Sequence, residues 1–215
     1  KNFYVGFRCY DRDPASISAT QMKYDGDFDP DDNVTIVIDP FRDRRTGYIF
    51  RMTAAGARKD GRITNGDRID FNWDGMWYGR ATVDEKGWTA EMVIPFQTIL
   101  ADPDIGDWGI NAERFIRRKN ETVRWSTPRR DIRISSVANA DVIGGFVDLD
   151  IGSGIDLKPF VRADIRDNGE DQTDFAATAG LDLFWKIDPS LTLALTINND
   201  FAETEVDQRQ ITFGR

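Results

Sequence analysis

The chain has 215 residues, 40% of them hydrophobic, with 28 Lys and Arg against 37 Asp and Glu, a formal charge of −9 and no histidine. That apolar content is enough to bury a core, whereas the net negative charge repels a phosphate backbone and argues against nucleic acid as a partner. Without histidine there is no Ser-His or Cys-His nucleophile pair and no common zinc ligand, and the single cysteine, Cys9, excludes an intramolecular disulfide and a Cys-based metal site.

The first segment, "NFYVGFRCY", alternates as a strand: Phe3, Val5, Phe7 and Cys9 fall on one face and Tyr4, Arg8 and Tyr10 on the other. Cys9 is expected to be a small buried hydrophobe and not a reactive thiol. No signal peptide or apolar run of transmembrane-helix length is present, and the chain opens inside this strand without an initiator Met, so a processed polypeptide is expected. "DRDP" then breaks the alternation, and "YDGDFDPDDN" (24–33) crowds carboxylates into one loop. Asp25, Asp27, Asp29 and Asp32 are candidate ligands for a structural calcium; the competing reading is a turn whose Asp side chains cap their own backbone. An EF-hand fails here, because Pro30 stands where Gly is required and Ile36 where a bidentate acid is required.

"NVTIVIDP" (33–40) and "GYIFRMTAAG" (47–56) read as a hairpin joined by "FRDRRT". "RIDFNWDGMWYGRATVDEKGWTAEMVIPF" supplies two or three further strands, the last pair turning at "DEKG", and "QTILAD" is expected to form one helical turn. "WGINAERFIRRKNETVRWS" reads as another hairpin, around "RKNE". Short strands between Gly, Asn, Asp and Pro turns, without helical periodicity, predict an all-β antiparallel β-sandwich of lectin-like or jelly-roll type over residues 1–138.

From residue 139 to 215 the texture changes. Ile155, Leu157, Val161, Ala163 and Ile165 alternate with Asp156, Lys158, Arg162 and Asp164, and the same period recurs through Phe175, Leu181, Leu183, Trp185 and Ile187 and again through "LTLALTIN". Strands of roughly ten residues with one apolar face match the opening of an outer-membrane β-barrel, although a soluble sheet with one wet face has the same period. Three such strands cannot close a barrel, for which about eight is the smallest number.

The tryptophans carry most of the functional signal, since flat aromatic faces stack on pyranose rings while amide, carboxylate and guanidinium groups orient the hydroxyls. Trp88 and Trp108 share parity with Met92, Ile94 and Ile110 and are expected in the core. Trp73, Trp77 and Trp125 sit at or near turns and are candidates for sugar stacking, with Arg51, Glu91 and Arg114 as candidate polar partners; packing in the core or at its rim is the alternative for each ring. Glu91 and Glu113 are acids embedded in strands, so a glycosidase pair is conceivable, but cross-strand pairing with Arg51, Arg114 or Arg117 explains them more cheaply. The arginines of "RFIRRKN" and "PRRDIR" fit a wet strand face, with an anionic sugar as the alternative ligand.

Taken in order, "FYVGFRCYDRDP", "DDNVTIVIDPFRDRRTGYIFRMTAAGARKDG", "GWTAEMVIPFQTI" and "WGINAERFIRRKNETVRWS" resemble the family 9 carbohydrate-binding module, in the version at the N-terminus of bacterial outer-membrane proteins whose C-terminal barrel domain has no known function. "GLDLFWKIDPSLTLALTINNDFAETEVDQRQ" resembles the start of that second domain. The matching positions Asp39, Pro40, Gly47, Gly56, Trp88, Glu91, Pro95 and Phe96 are mostly fold positions. The resemblance implies a lectin-like sandwich, calcium in some members and a saccharide held between tryptophans, with Trp77 and Trp125 the best placed. The usual first strand before "FYVGF" is missing. Non-catalytic saccharide or polysaccharide binding in a Gram-negative cell envelope, at the outer membrane or in the periplasm, is the leading expectation. The alternative is a structural or gating domain of an outer-membrane protein without a sugar ligand.

Overall fold

Period-two alternation is realised along nearly every segment that carries it. The computed structural model describes residues 1–127, 129–149, 155–167, 173–188 and 191–198. Its strands are β1 (Asn2–Tyr10), β2 (Asn33–Asp39), β3 (Gly47–Thr53), β4 (Arg58–Thr64), β5 (Arg68–Asp70), β6 (Tyr78–Asp84), β7 (Gly87–Pro95), β8 (Asp107–Ile116), β9 (Glu121–Arg124) and β10 (Asp141–Gly144), followed by β11 (Ile155–Asp167), β12 (Thr173–Asp188) and β13 (Leu191–Ile197). The fold is all-β, and its sheets are antiparallel and not closed into a barrel. Packing divides the chain into Lys1–Gly152 and Ser153–Arg215. Residues 141–144, expected beyond the sandwich, pair with β8 inside it.

The first unit is a β-sandwich. Its smaller sheet has the order β1-β7-β6, and its larger one β10-β8-β2-β3-β4-β5 with β9 also paired to β8. Phe3, Val5, Phe7, Cys9, Trp88, Ala90, Met92 and Ile94 of the smaller sheet meet Val34, Ile36, Ile38, Phe50, Met52, Trp108 and Ile110 of the larger one. Trp88 and Trp108 are fully buried, and Trp108 stacks on Phe146 with centroids 3.9 Å apart. Both expected hairpins at β2–β3 and β8–β9 are present, as is the β6–β7 turn at "DEKG". In place of a helical turn the "QTILAD" segment forms consecutive hydrogen-bonded turns, with Ala101 N–H on the Phe96 carbonyl and Ile99 buried in the core.

The larger sheet also packs on its far side. Val37, Ile49 and Ile63 lie there under Val137 and Ile134, so the segment before β10 covers one end of that face. The other end is covered by the loop before β2: Asn33 Nδ2 donates to the Phe28 and Asp31 carbonyls, and Thr53 Oγ1 donates to the Gln21 carbonyl.

In the second unit β11, β12 and β13 form an antiparallel meander. Its register sets Ile155 beside Trp185 and Leu193, Leu157 beside Leu183 and Leu195, and Pro159 beside Leu181 and Ile197. One apolar face thus runs across all three strands, and Ile155, Leu157, Val161, Trp185, Leu193, Leu195 and Ile197 are exposed on it. The remaining residues of the expected barrel start lie outside the described ones.

Candidate functional site

Between the two covers on the larger sheet runs a polar row fixed by strand register. Lys59 on β4 lies beside Arg51 on β3, Arg51 beside Thr35 on β2, Thr35 beside Glu113 on β8, and Glu113 beside Arg124 on β9. Side chains directly opposite on adjacent strands share a face, so the five project together, away from the core. Glu113 accepts a 2.6 Å hydrogen bond from Arg124 Nε, and Arg124 also donates to the Ile132 and Arg129 carbonyls. Arg51 donates weakly to Asn33 Oδ1 at 3.4 Å, and its guanidinium stands 5.9 Å from the Phe28 ring. Burial pulls the Arg51 pKa below its ordinary value, while Glu113, Asp29 and Asp27 pull it back up.

Two atoms of this row are left without partners. Thr35 is 1% exposed, and both its Oγ1 and Arg51 Nε are buried with no hydrogen-bond partner. A buried polar group without a partner costs about 1–3 kcal/mol, a cost that a ligand hydroxyl would recover only where the loop over the row shifts to admit it. Asn33, Asn111 and the half-buried Phe115 flank the row on the same face. Thr35, Asn33, Arg124 and Phe115 were not singled out in the sequence; the polar Asn-x-Thr alternation inside an otherwise apolar β2 was the available signal.

The tryptophans do not converge. Trp77, a stacking candidate near a turn, takes the core-packing alternative and is 3% exposed: it meets Phe50 edge-on at 5.3 Å, and its Nε1 donates to Asp60 at 3.0 Å. Trp73 is half-buried against Tyr48 at 5.0 Å and Phe50 at 6.2 Å. The acidic, glycine-containing surroundings of both rings come from a backbone that folds over Asp60, whose carboxylate also accepts from Gly75 N–H and Tyr24 Oη. Trp125 alone of the three is exposed, at 55%; its N–H bonds the Ala112 carbonyl at the opposite edge of the larger sheet, one residue beyond Arg124.

The candidate polar partners also separate. Arg51 belongs to the row. Glu91 projects from the outer face of the smaller sheet, beside Gly6 and Arg80. Glu91 and Glu113 therefore stand on opposite outer surfaces of the sandwich and share no cleft, which removes them as a glycosidase pair. Arg114 is a strut: it donates to the Tyr10 carbonyl at 2.7 Å and to Asp11 at 3.4 Å, tying β1 to β8.

The acidic loop does not assemble as a cation site. Asp27 caps Asp29 N–H, Asp32 accepts from Ser18 N–H, and Asp25 turns toward Asp60 and Asp74. Asp31 accepts from Thr20, Gln21 and Ser18. Among the described residues no three acidic, Cys or His side chains are grouped to hold a metal, and of the four candidates Asp27 and Asp32 cap backbone N–H groups.

No protein-family profile matches the chain, and no curated protein matches it. Among solved structures, a crystal structure of a Bacteroides uniformis protein provisionally described as carbohydrate-binding superposes with a TM-score of 0.50. It covers 66% of this chain and 71% of its own, at 17% identity, so what the two share is the fold.

Proposed function

We propose that the first unit binds a saccharide without catalysis, in the polar trough between the Phe28 loop and residues 129–139, which opens when that cover shifts. One observation carries this reading: Thr35 Oγ1 and Arg51 Nε are buried and unpartnered in the same cross-strand row as the Glu113–Arg124 pair. Such a row offers hydroxyl groups a carboxylate acceptor and guanidinium donors within one strand spacing of each other. The carbohydrate-binding description of the Bacteroides structure agrees with the reading. A small polar site of this kind holds a small sugar at roughly micromolar to millimolar Kd.

The apolar face of β11–β13 supports a finer reading, in which the second unit opens a barrel and tethers the sandwich to the outer membrane of a Gram-negative cell. The competing function is a bracing or gating domain without a ligand, favoured by the burial of Trp77 and the half-burial of Trp73. Amide-shift titration with a panel of neutral and acidic mono- and oligosaccharides separates the two. Saccharide binding shifts resonances along Thr35, Arg51 and Glu113 and is lost in Arg51→Ala, whereas a panel that moves none of them leaves the bracing function.

A further inference from the structure

The outer face of the smaller sheet has a composition that packing does not explain. Strand register lines up Tyr4, Val93 and Tyr78 in one row, Gly6, Glu91 and Arg80 in the next, and Arg8, Thr89 and Thr82 in a third. Tyr4 is 70% exposed and Tyr78 61%, and neither ring is in aromatic contact among the described residues. With β7 between them, their backbones stand about 10 Å apart, two strand spacings, a span close to the length of a disaccharide. The space above Gly6 is open: a side chain added there would meet nothing within 4 Å.

The charges on this face balance. Arg8 makes a bidentate pair with Asp84 at 2.5 and 2.9 Å, with its guanidinium 5.1 Å from the Tyr10 ring, and Arg80 lies beside Glu91. A polyanion gains nothing from such a surface, whereas a neutral chain that is apolar on its flat side and hydroxylated at its edges finds both partners. Arg80, Glu91, Thr82 and Thr89 are within one or two rows of the rings to meet those hydroxyls.

We infer that the outer face of β1–β7–β6 is a second saccharide platform, separated from the trough by the whole core, which takes an extended neutral glycan across Tyr4 and Tyr78. It does not depend on the trough being a sugar site. The test is affinity electrophoresis of the full chain, in mild detergent, through gels containing soluble β-linked glucan, xylan or alginate. Retardation is expected in at least one neutral glycan and unchanged by added salt. In an Arg51→Ala background, which removes the trough as a second source of retardation, Tyr4→Ala and Tyr78→Ala are each expected to weaken it roughly tenfold and the double variant to abolish it. In the unaltered chain, the same glycan is expected to shield Tyr4 and Tyr78 from nitration, read by mass spectrometry, which keeps the test free of any folding defect in a variant. The inference is overturned by no retardation in any neutral glycan, by retardation confined to alginate, or by retardation that survives the double tyrosine variant in the Arg51→Ala background. Loss in Arg51→Ala alone assigns the binding to the trough, and a dimer dissolved by the tyrosine changes makes the face a contact between copies; either result also overturns it.

Discussion

The Trp77 indole is held between Phe50 at 5.3 Å and the Asp60 carboxylate at 3.0 Å, so truncating it opens a cavity and strips a buried acceptor of one donor. Trp77→Ala is expected to cost about 3–5 kcal/mol in urea denaturation, whereas Trp125→Ala, whose ring is mostly in water, should stay within about 0.5 kcal/mol. Asp25 calls for a different measurement. Burial first, then the neighbouring Asp60 and Asp74, pushes its pKa from 3.8 up to about 6. An acid with a raised folded pKa holds its proton more tightly when folded, so its cost to stability appears as pH rises from about 4 and is complete above about 6. Asp25→Asn should therefore stabilise the protein at pH 7 and change little at pH 3.5. The gain should fall well below the ~1.4 kcal/mol per pH unit of a buried group, because Asp25 is only partly buried and solvent screens it. Chemical denaturation at the two pH values reads the difference. Neither the Asp60 contact of Trp77 nor that of Asp25 was legible in the sequence, because Asp60 looks like one more turn acid in "ARKDG" until β4 turns it inward.

At the scale of elements, period-two patterning made the hairpins legible: the pattern tells which face of a strand is buried and turn residues tell where it reverses. Partners across the fold were not legible. β1 pairs along its whole length with β7, and β2 with β8, and nothing local in "NFYVGFRCY" selects "GWTAEMVIP" over any other half-apolar strand. What seals the β1–β7 match is visible at Gly87, where φ is +135° and an added Cβ would sit 2.0 Å from the Cys9 carbonyl oxygen. Gly87→Ala must then push β1 away from β7, and a loss above about 2 kcal/mol is expected. Gly66→Ala is the control: its φ of +92° strains the backbone, but nothing lies within 4 Å, so about 1 kcal/mol is the expected cost. Midpoints of urea unfolding for the two variants should separate clearly; equal losses would mean that backbone strain, and not close approach to β1, is what Gly87 relieves.

At the scale of the whole molecule, surface character changes between the two units. The sandwich keeps its tryptophans mainly inside and turns polar rows outward, whereas the second unit turns Leu157, Leu195, Ile197 and Trp185 outward along one unbroken face. Exposed apolar patches of that extent are not stable in water and mark a surface that meets lipid, detergent or another protein. The formal charge of −9 opposes electrostatic capture by anionic lipid, so any membrane association must come from apolar contact and persist in high salt. Flotation with neutral phosphatidylcholine vesicles is expected to carry the full chain upward at low and high salt alike. Leu157→Lys with Leu195→Lys should abolish it, since a lysine facing the hydrocarbon midplane costs about 2–4 kcal/mol in barrel strands. Sandwich integrity in that variant is read independently from the near-ultraviolet signal of Trp88 and Trp108, both in the first unit's core. Flotation that fails in the unaltered chain, or that high salt removes, would leave the β11–β13 face as a protein contact and remove the membrane tether proposed for the sandwich.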